Sequence, residues 1–332
     1  MAQALRVGIV GAGMAGLACA EGLGVGAERP VLLDKGRGAG GRMATRRLAT
    51  PDGETSLDMG AQYFTVRDPL FRRRVQAWIA TGLVAPWADA GTDAYVGVPT
   101  MNAPIRQMAE RQTVRWATRV VRLERGSGAW RLHIETGECI EIDVAIIALP
   151  AEQAAQLLEH VAADLAARAR AVASAPCWTV MLAFAERVPV AGHCFRGSGA
   201  LGWAARNSAK PGRVGPESWI LQSGPAWSTR HVDADAAWVT ASLIEAAERL
   251  LGVPLPHAYA QACHRWLYAR SGADGSSAIW DPERAIGVCG DWLVGPRVEA
   301  AWQSGTRLAQ HIRCEASKPT DPDDADRNLL VS

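Results

Sequence analysis

VGIVGAGMAGLACAEGL, residues 7–23, joins a short β-branched apolar run, three glycines at fixed offsets and an alanine-rich segment at helical spacing. A secretion signal would need a basic leader, a longer apolar run and a small-residue cleavage site, and here glycines break the run almost at once. The run is also too short to span a bilayer. What remains is strand, tight turn and helix, with Gly11-x-Gly13-x-x-Gly16 in the turn. Gly11 makes the turn, Gly13 lets backbone approach a pyrophosphate, and Gly16 allows close helix–sheet packing. Ala12, Met14 and Ala15 complete the loop, and the helix N-terminus offers N–H groups to phosphate. A second apolar run, PVLLD, ends about 20 residues on at Asp34, where a carboxylate accepts ribose hydroxyls, with Lys35 beside it. The unit predicts dinucleotide binding.

Composition narrows the partner. The chain has 332 residues, 48% hydrophobic, and a formal charge of +1, which implies neither a membrane protein nor a nucleic-acid binder. The seven cysteines are odd in number and never spaced as C-x-x-C, so they read as reduced thiols of a cytoplasmic protein rather than a disulfide framework or a metal site. Thirteen tryptophans against four tyrosines and four phenylalanines suit a site that packs planar rings.

The choice between FAD and NAD rests on later segments. After Asp34 comes KGRGAGGRMATRR, where Gly40-Gly41-Arg42 is expected to start a short helix, with Arg42 neutralising a pyrophosphate. LDMGAQYFT follows, placing Met59, Gly60, Ala61 and Gln62 near the cofactor and Tyr63 within reach of its ring. At the far end, IGVCGDWLVGPRVEAAWQSGTRLAQHI reads as a strand ending at Gly290-Asp291, a turn through Gly295-Pro296, and an amphipathic helix with proline at its first position. A flavin needs such a returning grip on its ribityl chain and ring. Arg297, Val298 and Ala301 belong to it, and the helix N-terminus near Val298 would favour negative charge on the ring.

These segments resemble the FAD-dependent oxidoreductases of the amine-oxidase superfamily, and within it the renalase-like proteins of bacteria. Gly11-x-Gly13-x-x-Gly16, Asp34, GGR at 40–42, and GDW with VEAAWQSG at 290–305 carry the wider likeness. DMGAQYFT (58–65), WAARNSAKPGR (203–213), ESWILQSGPAWS (217–228) and HRWLYA (264–269) carry the closer one. The resemblance implies an α/β fold: a Rossmann-type FAD-binding domain (GR2, p-hydroxybenzoate hydroxylase-like) interleaved with a substrate domain of β-sheet plus helix. It also implies noncovalent FAD and oxidation of mis-reduced nicotinamide dinucleotides, with O2 as acceptor giving hydrogen peroxide. The chain departs from the family at Leu267, where HRW is often followed by arginine.

Because cofactor segments lie at both ends, the domains must interleave. Residues 1–66, 100–155 and 282–315 are assigned to the FAD-binding domain, 67–99 and 156–281 to the substrate domain, and 316–332 to a disordered tail. ERGSGAW and ETGE are hairpin signals of a small antiparallel meander carrying Val120, before DVAIIALP returns to the parallel sheet and brings Ala148 and Leu149 near the cofactor. CWTVMLAFAERVPV, ESWILQSGPA and AYAQACHRWLYA read as substrate-domain strands, and DADAAWVTASLIEAAERLLG as a helix ending at glycine.

Hydride transfer to a flavin asks the protein chiefly for orientation and electrostatics. Trp203, Trp219, Trp227 and Trp266 are therefore candidate ring-holders, with Arg206, Asn207, His231 and His264 as polar neighbours, and the Asn207 amide suited to reading a carboxamide. Trp266, His264, Asn207 and Tyr63 are the substrate-contact candidates. The only lysines are Lys35, Lys210 and Lys318. True amine oxidases characteristically hold a water near the flavin with a substrate-domain lysine, for which only Lys210 is a candidate. Three readings stay open: an oxidase of dihydronicotinamide isomers, an amine oxidase or desaturase of the same superfamily, and a non-catalytic flavoprotein sensor. The oligomeric state is left open.

Overall fold

A computed structural model describes residues 5–24, 29–51 and 53–317. The strand Val7–Val10 lies inside a six-stranded sheet, between Val31–Leu33 and Val144–Ile147 and parallel to both. Thr113–Arg115 and Ile286–Val288 extend it in parallel, and Ile279–Asp281 closes one edge antiparallel. Its inner strands read as unbroken apolar runs because both faces are covered. Ile9, Leu32 and Ile146 face the helices Met14–Leu23 and Val298–Ala316. Val10, Leu33 and Ile147 face the helices Ala151–Leu158 and Ala163–Arg170 and the expected meander, Val120–Arg125, Trp130–Ile134 and Cys139–Ile142.

The first and last of these helices cross in close contact. A Cβ on Gly305 would stand 2.0 Å from the Ala15 carbonyl oxygen, so this crossing requires glycine. The helix Val298–Ala316 thereby joins the two ends of the chain around one cofactor grip. Its N-cap is Arg297, so Pro296 precedes the helix rather than opening it. The short helix Asp291–Val294 and the turn at Gly295 take up the residues between.

The second sheet has five antiparallel strands in the order Cys194–Arg196, Leu201–Arg206, Glu217–Ser223, Ser174–Phe184, Ala258–Ser271. The helix Ala236–Leu251 covers its outer face through Val239, Leu243 and Ala247. Asp235 caps that helix by accepting the N–H groups of Ala237 and Trp238, and Gly252 ends it with φ 72°. The inner face meets the cofactor segments: Met181 and Ile220 pack on Leu48 and Leu57.

Within the segment 67–99, assigned above to the substrate domain, the helix Pro69–Ala80 packs on the Rossmann helices, while Asp89 meets His193 and Cys194 and the Gly97 carbonyl accepts from Arg213 on the side of the second sheet. Phe71, Val75 and Trp78 of the helix Pro69–Ala80 share a core with Leu17, and Arg74 binds Glu21. The apolar stripe of this helix matches the helix pair. Of the tail assigned to 316–332, residue 316 ends the last helix, and residues 318–332, Lys318 included, lie outside the described residues.

Candidate active site

The two sheets enclose a cavity of about 1520 Å³. Single-ligand pockets run to about 300–1,000 Å³, so this one accommodates a dinucleotide and a second molecule. One end is the glycine turn. Gly11 has φ 105°, and a Cβ on it would stand 2.5 Å from the Ala148 carbonyl oxygen. A Cβ on Gly16 would stand 2.0 Å from the Gly11 carbonyl oxygen, whereas a Cβ on Gly13 would meet nothing within 4 Å, because Gly13 borders the cavity. The three glycines thus serve a backbone turn, a ligand face and a helix contact.

Two helix N-termini converge here. Neither Met14–Leu23 nor Val298–Ala316 has a side-chain cap, and Met14, Ala15, Arg297, Val298 and Ala301 all line the cavity. Uncapped first-turn N–H groups suit an anionic or oxygen-rich ligand. Asp34 and Lys35 also border it, with Gly41, Arg42, Gly60, Ala61, Gln62, Val120, Ala148, Leu149, Gly290 and Asp291. The Asp34 carboxylate accepts the N–H groups of Ala12 and Gly36, each at 2.7 Å, so it closes the turn as well as facing the ligand space. The expected short helix is the 3-10 turn Gly41–Met43. Asp291 holds Arg42 by two bonds, one of 2.9 Å between Nη1 and Oδ2. Arg42 is therefore a fixed cation whose charge is already partly answered.

Ala12, Gly16 and Met59, named above as cofactor contacts, do not border the cavity. Ala12 and Gly16 face the packed side of the turn. Met59 packs with Leu48, Leu57, Met181 and Ile220, and its carbonyl accepts the Trp266 indole N–H at 2.8 Å.

Tyr63, His264 and Trp266 line the cavity with Trp203 and Trp227. Tyr63 and Trp203 lie 5.6 Å apart by ring centroids, and His264 meets Trp266 edge-on at 4.5 Å. Burial and the nearby Arg46 charge lower the His264 pKa, favouring a neutral imidazole. The Trp203 indole nitrogen is buried with no hydrogen-bond partner among the described residues. Asn207 is elsewhere. It is buried, its Oδ1 accepts the Asp58 N–H and its Nδ2 donates to the Ser56 carbonyl, so its amide joins the two domains and has no free edge for a substrate. Trp219 and Arg206 are likewise internal, with Arg206 paired to Glu217 beneath Trp219. His231 packs tilted against the stacked pair Trp227 and Trp238 without bordering the cavity.

Behind Gln62 lies a cluster that sequence reasoning missed. The fully buried Asp58 carboxylate is paired with Lys210 Nζ at 3.1 Å and Arg213 Nη2 at 2.5 Å, and also accepts the Met101 N–H and the Thr45 hydroxyl. Burial pushes the Asp58 pKa up, but the two cations outweigh it and hold the carboxyl at about 2. Lys210 shares one anion with a second cation, so burial prevails there and its pKa falls to about 8. Lys210 also donates to Gln62 Oε1 at 3.0 Å, and Gln62 Nε2 donates to the carbonyls of Asp58 and Gly60. The cavity segment 58–62 is thus clasped from the substrate domain. Asp58 stands in the quoted DMGAQYFT, but nothing in the spacing brings Lys210 and Arg213 to it.

The chain's nucleotide end matches the NAD(P)-binding Rossmann-like domain over residues 9–77, and residues 80–313 match the flavin containing amine oxidoreductase family. Mouse (Mus musculus) renalase is 24% identical over 300 residues, covering 80% of this chain and 85% of that protein. A crystal structure from Exiguobacterium sp. 255-15, provisionally assigned as a protoporphyrinogen oxidase, superposes with a TM-score of 0.74 at 13% identity, covering 94% of this chain and 99% of that one. Putrescine oxidase bound to putrescine superposes with a TM-score of 0.62 at 11% identity, over 94% and 99%. The glycine cradle, the uncapped helix ends and the family agree on the cofactor as FAD. No helix among the described residues is long and apolar enough to cross a membrane. The chain belongs to the flavin-containing amine oxidoreductase family and is a FAD-dependent oxidoreductase of a small-molecule substrate.

Proposed function

We propose that this enzyme oxidises the 2- and 6-dihydro isomers of NAD(P) to NAD(P)+. When bound, FAD supplies the hydride acceptor at N5, and O2 then takes the electrons to give hydrogen peroxide. The observation that carries this reading is the charge of the cavity. Among the described residues its wall holds nine cationic side chains, Lys35 and eight arginines, against the carboxylates of Asp34 and Asp291. The chain as a whole is nearly neutral, so the surplus is local. An amine substrate arrives as an ammonium ion, which such a wall repels, whereas the phosphates of a dinucleotide are attracted.

The remaining chemistry suits a planar donor. Tyr63, Trp203, Trp227 and Trp266 offer ring faces that hold a flat molecule and exclude water. The bond to the Met59 carbonyl fixes Trp266, and neutral His264 beside it adds a hydrogen-bonding group without charge. Among the described lysines, only Lys35 borders the cavity, at the nucleotide end. The segments resembling the renalase-like proteins and the mouse renalase relative support the same donor class. The free cysteines suit a cytoplasmic location.

The test is anaerobic mixing of the FAD-loaded protein with β-NADH, its 2- and 6-dihydro isomers and a panel of amines, following the visible flavin band. Bleaching by the isomers in preference to β-NADH is expected. Bleaching by amines alone would move the assignment to amine oxidation, and no bleaching by any donor would overturn it.

A further inference from the structure

Three carboxylates are buried among the described residues: Asp58, Asp291 and Glu299. Asp58 is paired with Lys210 and Arg213, and Asp291 with Arg42. Glu299, 1% exposed, has no ion pair among the described residues. Its Oε1 instead accepts the backbone N–H groups of Arg67 and Asp68, each at 2.7 Å. Two donors on one oxygen at that length are charge-assisted hydrogen bonds to an anion.

Glu299 lies immediately behind the cavity wall. It belongs to the first turn of the helix Val298–Ala316, and its helix neighbours Val298 and Ala301 line the cavity. So do Thr65 and Arg67 on the segment it holds, whereas Glu299 itself does not. Asp68, the second residue it binds, caps the helix Pro69–Ala80 by accepting the N–H groups of Leu70 and Phe71. One carboxylate thus ties the wall segment, and the helix after it, to the end of the chain's last helix.

A first-turn position is where a helix favours an anion, which offsets the burial of Glu299 without a cation. The same charge changes what this helix end offers a ligand. A helix N-terminus acts as about half a positive charge, so a full negative charge in its first turn outweighs it. Arg67 and Arg297 also stand on the wall, but both are exposed and their charges are screened by water. The helix end therefore favours negative charge on the ring less than its uncapped N–H groups alone suggest.

We propose that Glu299 is a positioning residue that clasps the wall segment ending at Asp68 to the last helix and, as a buried unpaired anion, lowers the reduction potential of the bound flavin. Reduction places negative charge on the ring, and a fixed anion behind the wall opposes it. The reduced flavin is thereby a stronger reductant toward its acceptor. The inference concerns the cofactor and holds whichever molecule is the hydride donor.

The test compares wild type with E299Q, E299D and E245Q in the FAD-loaded protein. Glutamine keeps an oxygen for both N–H groups and removes the charge, aspartate keeps the charge and shortens the reach, and Glu245 is an exposed helix-surface carboxylate. The flavin potential is read by equilibration with a reference dye, and sulfite, an anion that bleaches oxidised flavin, is titrated in parallel. For E299Q we expect FAD retention at least equal to wild type and an equilibrium shifted about 10-fold toward reduced flavin, a rise of about 30 mV for a two-electron couple. Sulfite should bind it about 10-fold more tightly. E299D should lower the melting temperature yet stay within about 2-fold of wild type in both flavin readouts, and E245Q should change neither. E299Q within 2-fold of wild type, E299D matching E299Q, E245Q shifting as far, or loss of FAD from E299Q would each overturn the proposal.

Discussion

Replacing Asp58 by asparagine preserves shape and removes the one charge that answers two buried cations. Lys210 and Arg213 both bond the Asp58 carboxylate, and none of the three side chains is more than 3% exposed. Breaking such a pair by removing one partner costs about 3–5 kcal/mol, because the remaining charge stays buried. Unfolding entropy of about 2.1 cal/mol/K per residue gives about 0.7 kcal/mol/K for a chain of this length, so the melting temperature is expected to fall by about 4–7 °C. The assay is thermal unfolding of the FAD-loaded protein by circular dichroism for D58N, K210M and the double variant. Because Lys210 costs more when its counter-charge is missing, the double variant is expected to lose less than the sum of the single losses, by about 1–3 kcal/mol. Acid provides an independent check. The Asp58 pKa is depressed from 3.8 to about 2, so its stabilisation is complete above the unfolded value and lost as pH falls through that window, about 2 kcal/mol in all. Lys210 is depressed from 10.5 to about 8, so its neutral form is favoured in the fold and its contribution grows as pH rises across that interval. D58N should flatten the acid limb. A melting temperature within 1 °C of wild type, or strictly additive single losses, would refute the view that this cluster clasps the domains electrostatically.

The glycine turn separates folding from cofactor binding. G13A points a methyl group into open cavity and should leave the apoprotein's melting temperature nearly unchanged while lowering FAD affinity at least 10-fold, whereas G16A drives a methyl group against the Gly11 carbonyl and should lower both, as read by thermal unfolding and flavin titration. D291N leaves Arg42 without its anionic partner and should weaken FAD retention during gel filtration, with R42Q weakening it further because the cavity then loses a fixed cation.

The parts of the fold that were legible in the sequence share one property: their residues satisfy a local rule. Val7–Val10, the glycine turn and the helix after it announce themselves by periodicity and by the φ demanded of Gly11. Asp235 and Gly252 bracket the helix Ala236–Leu251 as a cap and a stop should. Where local rules ran out, so did the reading. RNSAKPGR looks like a solvated turn with one readable amide, yet Asn207, Lys210 and Arg213 all turn inward to the 56–58 segment across the domain boundary. Pro296 looked like a first helical residue because proline favours that position, but the chain spends Gly295, Pro296 and Arg297 leaving one short helix and entering the next.

The charge of the cavity was invisible for a different reason. Arg67, Arg119, Arg196, Arg230, Arg270 and Arg297 are scattered over 230 positions and form no basic run, and the net charge of +1 conceals them because carboxylates elsewhere balance the sum. Only the folding of two interleaved domains around one space gathers these arginines and leaves the acids mostly outside. A neutral composition therefore does not exclude an anion-binding interior. For a large cavity between two sheets, the sign of its wall bears more directly on the substrate than a family name does. The name includes amines, while this wall favours an anion.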